Sequence, residues 1–415
     1  MLAEIITIGD EILSGKTIDT NSSFIANTLM DLGIEPHFML TISDSEQAIV
    51  KVLDRALAQS DVVIFTGGLG PTHDDITKHT LSKYFKAPLY RDEELLGRLE
   101  TYFKMRGRVL DDLNHTQADF PKDALKVYND RGTATGMAFN HSGKWVFSLP
   151  GVPLEMKQMM LDGVKQILSS HLQLDAYLIK DIKTIGISEA LLASALEDLN
   201  LNSLEDLKFA YLPKLGRVTL RIYYKSNVDL ALIDSILLDI KARVGDYIFD
   251  ENGLDISEVV GELLKNNNKT LAVAESCTGG YLGHLITQIP GSSAFFEGGI
   301  ISYSNEVKKE QLGIDAGLIE SKGAVSEEVV AEMAKNVRHR LKTDYGIGIS
   351  GIAGPDGGTT DKPVGTICFA IAKEDEVITK KYQFYKIRSM NIELSAITGL
   401  RLLWKYFLKD FQNES

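Results

Sequence analysis

Six short apolar runs constrain this chain more than any other feature, because each ends in a loop rich in glycine or polar residues. Ala3 to Ile8 runs into Gly9-Asp10-Glu11, Val62 to Phe65 into Gly67-Gly68-Leu69-Gly70-Pro71, and Trp145 to Leu149 into Pro150-Gly151-Val152-Pro153. Leu271 to Ala274 leads into Glu275-Ser276-Cys277-Thr278-Gly279-Gly280, Gly299 to Tyr303 into Ser304-Asn305-Glu306-Val307-Lys308, and Tyr345 to Ile349 into a loop from Ser350 to Gly358. Helical periodicity separates the runs: Ala48, Ile49, Val52, Leu53, Ala56 and Leu57 share one face of a helix whose start, Ser43-x-x-Glu46, fits a capping box. Short apolar strands alternating with amphipathic helices predict mainly parallel sheets covered by helices. Open sheets of this kind bind ligands beyond the carboxyl ends of their strands, so each group of three loops is a candidate site. The two groups are not sequence repeats of each other and are read as separate sites.

Residues from about 175 to 250 break the pattern. Strand Ile182 to Ile185, helix Ser188 to Leu199, a Phe209 to Tyr223 region turning at Pro213-Lys214-Leu215-Gly216, and helix Val228 to Val244 make a small α+β unit resembling a KH-type layer. Its turn reads Gly186-Ile187-Ser188-Glu189, without the backbone-clamping GXXG of nucleic-acid-binding KH modules, so a structural spacer is the preferred reading over RNA binding. The expected architecture is therefore two three-layer α/β domains with mainly parallel sheets, joined by a small α+β (KH-like) domain. Boundaries fall at residues 1–170, 171–252 and 253–415.

Composition narrows the function classes. At 415 residues and 44% hydrophobic, the chain can bury several cores, and no uninterrupted apolar run reaches the ~20 residues of a membrane span. Lys and Arg number 44 against 57 Asp and Glu, and a net charge of −13 repels a polyanion over most of the surface. Neither nucleic acid nor membrane is expected as a partner. Residues 1 to 8 lack the basic start and long apolar stretch of an export signal, and Cys277 and Cys368 are the only cysteines, so a reducing cytoplasm is the expected compartment.

In the last third, Ser276 stands where a strand is expected to turn directly into a helix, a place where free N–H groups can stabilise an alkoxide. Histidine is the usual base for a serine, yet His284 lies about 12 Å further along the same expected helix, and His339 falls in a charged stretch read as a solvated helix face. Lys308 is the better base: it opens a helix at the same sheet edge, where partial desolvation lowers a lysine pKa and leaves neutral amine to take a proton. Cys277 is a rival nucleophile, with Ser276 favoured because successive residues at a helix start point in different directions and only one can face the site. The four glycines, proline and Asp356 between Ser350 and Gly358 suit exposed backbone N–H groups that receive a phosphate or an oxyanion.

In the first third, Thr66 to Thr77 couples glycines Gly67, Gly68 and Gly70 to Asp74 and Asp75 at a helix start. Glycines allow close approach to phosphate, and carboxylates beside phosphate imply a divalent cation, with Asp10 and Glu11 arriving at the same edge. Helix capping is the competing role for Asp74 and Asp75. His73 is open between ligand, substrate contact and surface residue.

These motifs carry a specific resemblance. AESCTGG at 274–280, Gly291-Ser292-Ser293 through Ser302-Tyr303-Ser304-Asn305 to Lys308, Gly323-Ala324-Val325-Ser326, and SGIAGPDGG at 350–358 followed by Lys362-Pro363-Val364-Gly365-Thr366 resemble the C-terminal module of the CinA (competence/damage-inducible protein) family. That module is similar to nicotinamide mononucleotide (NMN) deamidases, which hydrolyse NMN to nicotinate mononucleotide and ammonia without a metal. The resemblance implies Ser276 as nucleophile and Lys308 as base, with Thr278, Tyr303, Asn305, Ser350, Gly351 and Arg388 lining the nucleotide pocket.

GDEILSG at 9–15, TGGLGPTHDDIT at 66–77 and PGVPLEM at 150–156 resemble the molybdopterin-binding-like domain of the same family. That domain is similar to a metal-dependent ADP-ribose pyrophosphatase, implying Gly67, Gly68 and Gly70 at the substrate and Asp10, Glu11, Asp74 and Asp75 at a divalent cation. One departure stands out: the family's usual Gly-Thr-Ala-Pro-Gly reads Gly132-Thr133-Ala134-Thr135-Gly136 here. The leading expectation is a two-site enzyme of pyridine-nucleotide salvage, and the resemblance implies a homodimer. A molybdopterin-binding enzyme of cofactor synthesis and a non-catalytic, competence-associated scaffold are the alternatives.

Overall fold

Alternating side chains along the first strand go to two different cores, and that alternation sets the layering of the N-terminal part. In β1 (Leu2–Ile8), Ala3 and Ile5 pack on one face of the sheet while Ile6 and Ile8 pack on the other. The computed structural model describes residues 1–72, 75–199 and 207–413, and these form two compact units, 1–178 with 224–227 and 179–223 with 228–415.

In the first unit, β2 (Glu35–Ile42), β1, β3 (Val62–Thr66) and β8 (Lys144–Leu149) lie side by side and parallel. Two short strands, β4 (Leu89–Arg91) and β5 (Asp119–Pro121), pair separately, and β6 (Leu125–Val127) and β7 (Gly136–His141) extend the main sheet antiparallel beyond β8. The three loops singled out in the sequence therefore leave adjacent parallel strands at one edge. Helix Glu46–Gln59 buries Ile49, Val52, Leu53 and Ala56 as the spacing predicts. Its cap is Ser45 rather than Ser43: Ser45 Oγ accepts the Ala48 N–H at 3.3 Å, while the Ser43 hydroxyl pairs with that of Ser45.

In the second unit, β9 (Tyr177–Ile185), β10 (Leu207–Lys214), β11 (Arg217–Lys225) and β12 (Ile248–Asp250) form a four-stranded layer in the order β10-β11-β9-β12. Gly186, at φ +80°, turns tightly against helix Arg388–Leu403: a Cβ there would lie 2.1 Å from Arg401 Cζ, and one at Gly216 would lie 2.7 Å from Leu394 Cδ1. The main sheet follows, with β13 (Leu271–Glu275) flanked in parallel by β14 (Phe296–Ile301) and β15 (Tyr345–Gly351). The antiparallel strands β16 (Thr366–Lys373) and β17 (Glu376–Gln383) complete it. One face is small, with Ala272, Ala274, Gly346, Gly348, Ala370 and Ala372, and helix Glu327–Leu341 closes onto it so tightly that a Cβ at Gly346 would meet the Ala334 carbonyl at 2.2 Å. The other face carries Leu271, Val273, Ile347, Ile349, Phe369 and Ile371 against helices Ile256–Asn266 and Arg388–Leu403. Among the described residues no helix is long and apolar enough to cross a membrane.

Candidate active site

β13 ends in a five-residue turn, and the helix begins only at Tyr281, so Ser276 sits in the turn rather than on the helix as the sequence suggests. Glu275 accounts for the difference. Its buried carboxylate accepts the N–H groups of Gly280 (3.0 Å), Leu282 (3.1 Å) and Gly283 (2.8 Å), so the helix N-terminus is answered by Glu275 and is not free for a serine alkoxide. The Ser276 N–H donates to the Ile349 carbonyl at 2.9 Å, which pins the turn to β15, while the N–H groups of Cys277 and Thr278 have no backbone acceptor among the described residues.

The neighbouring strand delivers the lysine. Ser302 N–H bonds the Glu275 carbonyl at 2.7 Å, and Ser304 Oγ caps helix Asn305–Leu312 by accepting the Val307 N–H, which sets Lys308 in the first turn facing β13. Lys308 is 1% exposed, and its Nζ lies 3.0 Å from Ser276 Oγ, 2.6 Å from the Ser302 carbonyl and 3.4 Å from the Tyr303 carbonyl. Burial lowers its pKa from 10.5 to about 8. Burial pushes the adjacent Cys277 thiol up to about 12, so near neutral pH that sulfur is a protonated, weak nucleophile.

Around this pair is a cavity of about 180 Å³ lined by Tyr303, Asn305, Ser350, Gly351 and Arg388, together with Cys277, Ala324, Val325 and Ala353. Arg388 Nη1 donates to the Gly354 carbonyl (2.8 Å) and Nη2 to the Tyr303 hydroxyl (3.1 Å), and Ser350 Oγ donates to the Ala324 carbonyl (2.8 Å). Thr278 is not brought into the cavity. It is buried, with a hydroxyl that has no partner among the described residues.

At the N-terminal edge, close approach replaces side chains. A Cβ at Gly67 would meet the Ile8 carbonyl at 2.2 Å, one at Gly68 would meet Thr77 Oγ1 at 2.2 Å, and one at Gly70 would meet Asp75 Oδ2 at 2.4 Å. Asn21 ties the loops together through Nδ2 to Thr66 Oγ1 (3.0 Å) and to the Gly151 carbonyl (2.8 Å). Sequence reasoning missed Asp44, which follows the end of β2 beside β1. Burial, and then the charges of Asp10, Glu11 and Asp75, push its carboxyl above the usual value against a backbone hydrogen bond from Asp10 that favours the ionised form. His73 and Asp74 lie outside the described residues.

Among the described residues no three His, Cys, Asp or Glu side chains converge closely enough to hold a metal ion. In kind the donors suit a hard cation, being carboxylate oxygens, with Asp44 Oδ1 and the buried Thr77 Oγ1, unpartnered among the described residues, both close to Gly68. The loop that carries Thr135 in place of proline is held by other means. Asn129 Nδ2 bonds the Ala134 carbonyl (3.0 Å) and Glu155 (2.7 Å), while its Oδ1 accepts the N–H groups of Arg131 and Gly132.

Comparison with known proteins matches these regions one by one. Residues 254–407 match the CinA C-terminal domain, 4–170 the domain described as a probable molybdopterin binding domain, and 180–249 the damage-inducible protein CinA KH domain. A CinA-like protein of Cytophaga hutchinsonii is 43% identical over 97% of this chain and 97% of its own length. One from Flavobacterium psychrophilum is 39% identical over 99% of this chain and all of its own length. The crystal structure of a CinA protein of unknown function from Thermoplasma acidophilum is 35% identical, covers 40% of this chain and 97% of that one, and superposes with a TM-score of 0.37. Identity at this level over nearly the full length of both chains means that the chain belongs to the CinA family.

Proposed function

We propose that the C-terminal site hydrolyses the carboxamide of NMN to nicotinate mononucleotide and ammonia, and the observation that carries this reading is the 3.0 Å approach to Ser276 Oγ of a buried Lys308 that has no carboxylate partner among the described residues. Neutral Lys308 takes the Ser276 proton as Oγ attacks the carboxamide carbon. The N–H of Cys277, which lines the cavity next to Ser276 and has no backbone acceptor among the described residues, would be the donor to the oxyanion. Collapse of the tetrahedral intermediate breaks the C–N bond as the lysine ammonium returns its proton to the leaving nitrogen, and ammonia departs from an acyl-Ser276 ester. Water, deprotonated by Lys308, then attacks the ester, and the proton passes back to Ser276 Oγ as nicotinate mononucleotide leaves.

At about 180 Å³ the cavity admits the amide-bearing end of a nucleotide, so the ribose phosphate extends past exposed Tyr303 and Arg388 toward the Gly-rich loop. Ammonia release from NMN by the pure protein, lost in Ser276→Ala, is the deciding measurement.

For the N-terminal site we infer metal-dependent hydrolysis of ADP-ribose to AMP and ribose 5-phosphate. A divalent cation would neutralise pyrophosphate charge and activate water; since no three of the described Asp10, Glu11, Asp44 and Asp75 converge on one point, it would be held jointly by carboxylates of this edge, with Asp74 the further candidate, and by the substrate's own phosphates. The Gly67, Gly68 and Gly70 backbone receives the phosphates. A second reading, binding of molybdopterin, is favoured by the match of residues 4–170 to a probable molybdopterin binding domain. Incubation with ADP-ribose and with molybdopterin, each with and without divalent metal, separates the two, and inactivity on every substrate would leave the scaffold reading.

A further inference from the structure

Asn391 lies one turn beyond Arg388 on helix Arg388–Leu403 and is completely buried. Its amide bonds away from its own helix: Nδ2 donates to the carbonyls of Ala353 (3.0 Å) and Tyr385 (2.8 Å), and Oδ1 accepts the Tyr385 N–H (3.0 Å). Turning the amide over would set its oxygen against two carbonyls and its NH₂ against an N–H, so the surroundings define one orientation. Ala353 lines the cavity, and its neighbour Gly354 accepts from Arg388. Asn391 thus joins the Gly-rich loop, the segment entering the helix and the base of Arg388, without itself lining the cavity. The reacting pair is held by other bonds, through the Ile349 carbonyl to Ser276 and the Ser302 and Tyr303 carbonyls to Lys308; the two sets meet at Tyr303, whose hydroxyl accepts from Arg388 while its carbonyl makes the longest of the Lys308 contacts, at 3.4 Å.

We propose that Asn391 is a positioning residue for substrate recognition: it sets the spacing between Arg388 and the Gly-rich loop that receives the anionic part of the substrate, and it leaves the Ser276–Lys308 pair alone. The inference rests on reading the cavity as the NMN site. Without the amide, two buried carbonyls and an N–H lose their partner, and the loop loses its registration with the helix. Binding then weakens equally in ground and transition states, which raises KM and spares kcat.

The test measures kcat and KM for NMN with the full chain, comparing wild type, Asn391→Leu, Arg388→Ala and the double variant, alongside thermal unfolding of each. Asn391→Leu should raise KM about tenfold or more with kcat within about threefold, and should add little to KM once Arg388 is gone, because both changes remove one coupled unit. If Asn391→Leu fails to fold, Asn391→Asp keeps the size and the acceptor for Tyr385, loses the donor to Ala353, and is read the same way. An unchanged KM, a fall in kcat alone, or full additivity with Arg388→Ala would overturn the positioning role while the NMN reading stands. A wild type that releases no ammonia from NMN would overturn that reading and this inference with it.

Discussion

Lys308 Nζ lies 3.0 Å from Ser276 Oγ in a cavity that no carboxylate lines among the described residues. An ammonium there would have no carboxylate partner and would share the cavity with the Arg388 guanidinium, and so the same burial that packs the side chain supplies the base.

Ser276→Ala should lower NMN turnover by about a thousandfold or more with an unchanged unfolding midpoint, since it removes the attacking atom and little volume. Cys277→Ala should keep most of the rate, because the thiol is held protonated by burial. Ammonia release by the two variants under identical conditions checks both, and a dead cysteine variant beside an active serine variant would reverse their roles.

The pH profile follows from the sign of the lysine shift. Neutral amine is the active form, so kcat should climb about tenfold per pH unit below a pKa near 8 and level off above it. Lys308→Arg should be almost inactive across the range, since guanidinium stays charged, yet calorimetry should still detect NMN binding. Substantial turnover by the arginine variant would exclude Lys308 as base.

The pairing of Ser276 with Lys308 was legible in the sequence because each follows the carboxyl end of a short apolar run, and neighbouring parallel strands bring such ends together: Glu275 stands opposite Ile301. Local periodicity likewise revealed the buried face of helix Glu46–Gln59. What escaped depends on partners remote in sequence. Asn391, in Arg388-Ser389-Met390-Asn391, reads as a polar surface position until Ala353 folds over it. Glu275 looks like one member of a turn motif until three N–H groups converge on its carboxylate, and Asp44 looks like part of a helix start until β2 aligns with β1. Thr278 shares the motif of Ser276 but points elsewhere, since successive residues of a turn face different ways.

Asp44→Asn combined with Asp75→Asn should weaken divalent-cation binding by about tenfold or more and abolish metal-dependent ADP-ribose hydrolysis, because two of the facing carboxylates lose their charge. NMN deamidation should be unchanged, since Asp44 and Asp75 are outside the sheet that carries Ser276. Titration with Mn²⁺ followed by magnetic resonance, with both activities assayed on one preparation, tests the separation. Retained hydrolysis in the double variant with chelator present would remove the metal role.

Lys308→Met should destroy deamidation and stabilise the fold, since an apolar chain of similar length replaces a group that burial disfavours in its charged form. The wild-type lysine titrates near 8 when folded and near 10.5 when unfolded, so between those values the unfolded chain holds the extra proton and wild-type stability rises with pH. Below about pH 8 the lysine is protonated in both states, and the disfavoured buried charge is present in full, worth on the order of 3 kcal/mol for a shift of this size. The stability advantage of Lys308→Met should therefore be largest at or below pH 8 and shrink steadily toward pH 10.5. Denaturant unfolding of the two proteins at pH 7, 9 and 10.5 measures it, and an advantage independent of pH would show that the lysine is not titrating in the folded protein as its burial requires.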